Sequence, residues 1–147
     1  LPVLALPMTS PLSVSGSCHC GAVQFEVQLL HSEVVNCHCK ICQKLSGSAF
    51  IAYMIGDLQH YRLTTGAEAL RHYPSSPQVQ RPFCGTCSSS LPIVDARVQQ
   101  VFIPASLIDR GLEDLSPHVS LHMFMAENPP WHQVGDGGQQ FPGFPRA

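Results

Sequence analysis

Seven cysteines are the residues best able to do chemistry in this chain, and they fall into three tight clusters. These are Cys18-His19-Cys20, Cys37-His38-Cys39 with Cys42, and Cys84-Gly85-Thr86-Cys87. An odd number cannot all pair as disulfides within one chain, and such close spacing reads as metal ligation or redox chemistry. On an extended backbone alternate side chains leave the same face. Cys18 and Cys20 can therefore share one metal, as can Cys37 and Cys39, while His19 and His38 point away. Cys84-x-x-Cys87 has the spacing of a zinc knuckle, with Gly85 easing the turn. Inert buried thiols, disulfides, metal-free redox cysteines and iron–sulfur ligation compete with this reading. Three clusters at ligand spacing favour zinc over each of them.

Seven sulfurs divide naturally as four plus three. A closed structural zinc takes four protein ligands, whereas a catalytic zinc takes three and keeps an open position. Cys37, Cys39 and Cys42 come from one contiguous segment and could chelate alone. The distant pairs Cys18/Cys20 and Cys84/Cys87 would staple chain segments together. Spacing alone leaves open which pair joins which metal. A three-thiolate zinc acidifies water poorly, but its softness favours a fourth sulfur ligand. A substrate thiol bound there would be delivered as the thiolate, its nucleophilic form. The chemistry this suggests is the formation or cleavage of a carbon–sulfur bond. The alternative is a non-catalytic zinc-stapled binding module, its second site closed by His38 or His122.

The elements that must position these sulfurs read as short strands. Val23, Phe25 and Val27 alternate with Gln24, Glu26 and Gln28, the pattern of a half-buried strand. Ala49–Met54 is an apolar run. Leu58–Leu63 and Ala69–Tyr73 are expected to form a hairpin around Thr64-Thr65-Gly66. Gln78–Phe83 leads into the last cysteine pair, and Leu91–Val94, Gln99–Ile103 and Val119–Met125 complete the strands. Two short helices are expected, Lys40–Leu45 ending at Gly47 and Ala105–Asp109 ending at Gly111. The fold class is therefore mainly β.

A length of 147 residues is one domain's worth, enough for a real core. Residues 1–14 are expected to be an N-terminal extension, 15–127 the zinc-binding domain, and 128–147 a Pro/Gly-rich segment. The last keeps Trp131, Phe141 and Phe144, which suits packing over the sheet better than disorder. Residues 1–7 are apolar but lack a basic n-region, and Met8 is a candidate natural start. With no mark of export, the expected location is the cytoplasm. Charged residues are only 12% of the chain and the formal net charge is -2, without a Lys/Arg run, which argues against phosphate-driven nucleic-acid binding. No apolar run approaches the roughly 18–20 residues of a membrane span. Low charge and a mean hydropathy of +0.08 permit a homodimer.

Three motifs in order resemble the family of glutathione-dependent formaldehyde-activating enzymes, which also includes the centromere protein V domain. Gly16-Ser17-Cys18-His19-Cys20-Gly21-Ala22-Val23 with Phe25 looks like the family's opening strand. Asn36-Cys37-His38-Cys39 with Cys42, then Ser46-Gly47, resembles its second motif, and Arg81-Pro82-Phe83-Cys84-Gly85-Thr86-Cys87 its third. His122 and the Pro130-Trp131 pair are similar to the family's late histidine and Pro-Trp. The resemblance runs from about Gly16 to Trp131. It implies a zinc-stapled β-tent of several short antiparallel sheets, with one or two short helices. It also implies two Zn²⁺ per chain. Cys18, Cys20, Cys84 and Cys87 would hold the structural ion, and Cys37, Cys39 and Cys42 the catalytic one. The implied activity is condensation of formaldehyde with glutathione to S-hydroxymethylglutathione, classed as carbon–sulfur lyase chemistry.

One position departs from the family, which often has Gly where this chain has Ser88. A left-handed turn there would cost serine about 1 kcal/mol. His122 is the first candidate for donating a proton to the alkoxide formed when a thiolate attacks an aldehyde. Glutathione's carboxylates would need cations, for which Arg62, Arg71, Arg81 and Arg97 are available.

Overall fold

The alternating segment after the first cysteine pair is a strand, with Phe25 and Val27 buried and Gln24 and Glu26 exposed. It belongs to a mainly β chain, seen here in a computed structural model that describes residues 12–145. The expectations for residues 1–7 and Met8 lie outside the described residues. In chain order the elements are β1 (Leu12–Ser17), β2 (Gln24–Leu29), β3 (Glu33–Cys37), α1 (Lys40–Ser46), β4 (Ile51–Thr65), β5 (Leu70–Ser76), β6 (Val79–Cys84), β7 (Ile93–Asp95), β8 (Gln100–Pro104), β9 (Ile108–Arg110), β10 (His118–Met123) and β11 (Gln139–Gln140). Single 3-10 turns lie at Ala67–Ala69, Ala105–Leu107 and Met125–Glu127.

Nine strands form one sheet in the order β11-β10-β3-β4-β2-β1-β9, with β8 also on β4 and β7 on β8. Most pairs are antiparallel, but β10 runs parallel to both β3 and β11. β5 and β6 make a separate two-stranded sheet. The long strand β4 organises the core because it is covered on both faces. Tyr53 and Ile55 pack with Val35, Phe102 and Leu121, while Met54 packs with Phe25, Leu29 and Ile103. A strand buried on both faces loses its alternation, which is why this stretch reads as a plain apolar run. Gly56 lets β2 and β8 close on β4, since a Cβ there would lie 2.6 Å from Val27 Cγ2 and 3.0 Å from Val101 Cγ1.

Two local expectations are corrected. Leu58–Leu63 does not pair with Ala69–Tyr73. It continues β4 against β2, and β5 turns away through Gly66 to pair with β6. The expected helix at Ala105–Asp109 is one 3-10 turn followed by β9, because Ile108 and Arg110 pair with β1. Residues 33–37, assigned to no strand from the sequence, form β3. β1 begins at Leu12, inside the stretch expected to be an extension. The C-terminal segment packs on the sheet: Phe141 joins the core, and Phe124 meets Phe144 edge-on at 4.6 Å. No helix among the described residues is long and apolar enough to cross a membrane.

His31 gives the fold an acid-sensitive point. It is 3% exposed, and burial lowers its pKa against the opposing pull of the Glu33 carboxylate. The unfolded chain binds a proton there below about pH 6.5, before the folded chain does. The contribution of His31 is therefore complete above that pH and shrinks as pH falls below it. We expect His31→Gln to flatten the fall in denaturation midpoint between pH 7.5 and 5.5. An unaltered slope would assign the acid sensitivity to other groups.

Candidate metal centres

Cys18 follows directly on β1 and Cys84 ends β6, so the two knuckles are carried by different sheets. The Sγ atoms of Cys18 and Cys20 are 3.6 Å apart, and those of Cys20 and Cys84 3.8 Å. All four sulfurs, Cys87 included, lie within 4.8 Å of one another. A tetrahedron with 2.3 Å metal–sulfur arms has edges of about 3.8 Å, so this donor set fits a tetrahedral thiophilic ion. Backbone amides support the charge: Val23 N donates to Cys18 Sγ and Thr86 N to Cys84 Sγ. The Ser89 hydroxyl lies 3.2 Å from Cys87 Sγ and draws that thiol down to about 5. Ser89 Oγ also accepts from His19 N, tying the knuckles together.

The left-handed residue of the second knuckle is Ser88, with φ 71. Its N–H donates to Cys84 O at 2.8 Å. Gly85 serves differently: its N–H donates to Ala69 O, and a Cβ there would stand 3.1 Å from that oxygen.

The second cluster is built where β3 runs into α1. Cys37 closes the strand. Cys39 caps the helix in extended conformation, its Sγ accepting from Cys42 N at 3.4 Å, and Gly47 ends the helix with φ 68. The three sulfurs lie within 4.8 Å of one another. Among the described residues, no further His, Cys, Asp or Glu atom joins them at that range. Hydrogen bonds from Cys37 and Cys42 hold the Cys39 thiol far below its ordinary value, while the same contacts and burial hold Cys37 up.

Two partners of this cluster are not evident from the cysteine spacing. Tyr53 Oη lies 3.6 Å from Cys42 Sγ, and Arg81 Nη1 donates to both Cys42 Sγ at 3.6 Å and Tyr53 Oη at 3.2 Å. Arg81 Nε is anchored on Ser75 Oγ. Burial opposes the Arg81 charge, but Tyr53 and Cys42 hold it more firmly protonated. Burial also keeps the Tyr53 phenol well above its usual range. The other candidate arginines are engaged elsewhere: Arg62 with Glu26, Arg71 with the Glu68 and Leu70 carbonyls, and Arg97 with Asp95. Arg81 would have been the strongest choice by position, three residues before Cys84. For Tyr53 the sequence carries no signal beyond an aromatic in an apolar run.

His38 turns to the opposite side, as alternation requires, and is fully buried there. Its Nε2 lies 2.9 Å from His122 Nδ1, and its Nδ1 lies 3.0 Å from Asn128 Oδ1. His122 Nε2 in turn lies 2.8 Å from Asp136 Oδ1. Leu121 and Met123 pack in the core cluster that contains Cys37 and Cys42, so His122 between them projects from the other face. The structure thus brings His122 to His38 and Asp136, not to the three sulfurs. The same region clamps α1: Glu127 Oε1 accepts from Lys40 N, and Gln43 Nε2 donates to the His38 and Glu127 carbonyls.

The family model for the glutathione-dependent formaldehyde-activating enzyme matches residues 13–127, a span containing both clusters. The chain belongs to this family. A Halomonas elongata protein named "Putative glutathione-dependent formaldehyde-activating enzyme" is 33% identical over 142 residues, covering 90% of this chain and 88% of that one. The crystal structure of a Rhodobacter sphaeroides protein superposes with a TM-score of 0.58 at 25% identity, over 70% of this chain and 97% of that chain. As a member of the glutathione-dependent formaldehyde-activating enzyme family, the chain carries two cysteine clusters that could each hold a metal ion.

Proposed function

We propose that this family member is a zinc-dependent carbon–sulfur lyase that forms and cleaves the adduct of a thiol, most simply glutathione, with formaldehyde or a related aldehyde. The observation that carries the reading is the three-sulfur cluster without a fourth protein ligand among the described residues, flanked by a half-buried cation and a buried hydroxyl. Cys18, Cys20, Cys84 and Cys87 would hold a closed structural Zn²⁺, and Cys37, Cys39 and Cys42 an open one. When bound, the open zinc supplies a soft Lewis acid that favours a thiol as the thiolate.

The chain's own residues then supply orientation and proton handling. In the synthetic direction a carbon–sulfur bond forms, the carbonyl π pair moves to oxygen, and the thiol's proton ends on that oxygen. Nothing is oxidised or reduced. Tyr53 Oη holds a proton beside Cys42 Sγ, and its burial keeps that proton in place at neutral pH until an alkoxide forms nearby. Arg81 orients Tyr53 and stabilises negative charge on the sulfur side. His122, with both ring nitrogens engaged, is a positioning residue in this reading, fixing His38 between two ligands.

Two experiments test the proposal. Reduced protein should contain two zincs, and the average sulfur coordination by zinc X-ray absorption should rise from about 3.5 when glutathione is added. One zinc, or coordination indifferent to thiol, would favour the structural module. Arg81→Met should retain both zincs yet slow exchange between glutathione and its hydroxymethyl adduct about 10- to 100-fold, the range for outer partners of a metal site. An unchanged exchange rate by NMR would remove Arg81 from the mechanism.

A further inference from the structure

A cavity of about 340 Å³ opens beside Arg81, and the chemistry of its walls bears on the substrate. Leu45, Tyr73, Pro82 and Phe83 make its apolar walls, Ser88 and Ser90 lie at its polar side, and Arg81 is its charged wall. None of the three cysteines lines it; Arg81, bonded to Cys42 Sγ, links it to the cluster, and three placements set its walls on the same side as Arg81 or Cys42. Leu45 lies three residues after Cys42 on α1, so both side chains belong to one side of that helix. Tyr73 is the cross-strand partner of Arg81 in the β5–β6 ladder, which puts the two side chains on one face. Phe83 lies two residues after Arg81 on β6 and shares that face. The Arg81 guanidinium reaches from this face to Cys42 Sγ.

Two serines and one guanidinium are too few polar partners for the body of glutathione, which brings two carboxylates and an ammonium. The one guanidinium is already bonded to Ser75, Tyr53 and Cys42. Nor does the size suit a hydroxymethyl group, since the space is more than ten times the roughly 30 Å³ occupied by one water in the liquid. Leu45 and Tyr73 are 43% and 50% exposed, large apolar side chains from two different elements that meet at this one opening. They are left for a ligand to cover.

Building on the lyase reading above, we propose that this cavity receives the apolar substituent of the aldehyde carbon, so that the preferred adduct is the thiohemiacetal of an alkyl or aryl aldehyde rather than of formaldehyde. The reaction is unchanged in its balance: the thiol sulfur bonds the carbonyl carbon, the π pair goes to oxygen, and the thiol proton follows it. Only the group carried on that carbon differs.

Exchange between free aldehyde and glutathione adduct is measured by NMR on the zinc-loaded chain, with formaldehyde and with pentanal. The expected kcat/KM for pentanal exceeds that for formaldehyde by roughly tenfold or more, since even one methylene in an apolar pocket is worth 10- to 200-fold. Leu45→Gln and Tyr73→Ser, both at exposed positions, should each cut the pentanal-to-formaldehyde ratio about tenfold. A ratio at or below one, or a ratio indifferent to both variants, overturns the inference and leaves the lyase reading standing. Acceleration of neither exchange overturns the lyase reading itself, and this inference with it.

Discussion

Replacing Cys42 by alanine should bring adduct exchange down to the uncatalysed background while leaving a folded protein that carries one zinc instead of two. Cys42 is the one residue of the second cluster hydrogen-bonded to both Tyr53 and Arg81, so its loss removes a proposed ligand and the link to both partners. Two remaining thiolates make a poor zinc site, because even an open centre takes three protein ligands. The fold should tolerate the change. The core cluster around Cys42 has ten buried residues, and α1 keeps its clamps to Glu127 and its Gly47 cap. Removing one buried sulfur should cost about 1–2 kcal/mol, against a domain stability of roughly 5–15 kcal/mol. Metal analysis, melting temperature and exchange rate on the same sample decide the matter. Full activity in this variant would sink the assignment of the catalytic centre.

What the sequence made legible follows physical range. Alternation over three residues put Cys37 and Cys39 on one face and His38 on the other, and the structure has His38 buried behind the cluster. The end of α1 was legible because Gly47 supplies the left-handed cap that other residues rarely adopt. A left-handed turn after Cys87 was suggested only by the family resemblance, and Ser88 adopts it. Partner choice among strands was not. Ala69–Tyr73 has the composition to pair with Leu58–Leu63, but β2 occupies that part of β4, and Cys84 draws β6 alongside β5.

Contacts between residues far apart in the chain were least legible. Arg81 meets Cys42 across 39 residues and Tyr53 across 28, and His38 meets His122 across 84. The surroundings of His122 illustrate the limit. Its residue type suits proton transfer, but its face is set by the pairing of β10 with β3, which no local pattern encodes.

Replacing Cys87 by alanine should have the larger effect on stability, and should impair both centres rather than one. β5 and β6 form only a two-stranded sheet, a unit marginal by itself in water. The core cluster beneath it has four buried residues, of which Cys18 and Cys84 are themselves proposed metal donors. Beyond Leu70 and Val79, little apolar packing therefore holds the hairpin to the large sheet without the four-cysteine centre. Structural zinc contributes about 10–16 kcal/mol of apparent folding free energy in small zinc domains, comparable to or larger than the whole stability of a typical domain. Losing one of four ligands should lower the melting temperature by about 10 °C or more, since 1 kcal/mol shifts it by a few degrees at this size. Arg81 rides on β6, so a loosened hairpin also withdraws the cation from Cys42, and exchange activity should fall with the fold. Cys42→Ala and Cys87→Ala thus separate the two centres, the first silencing activity in a stable protein and the second removing stability and activity together. An unchanged melting temperature in Cys87→Ala would show that the hairpin is held by packing alone, and the division of the seven sulfurs into structural and catalytic sets would have to be redrawn.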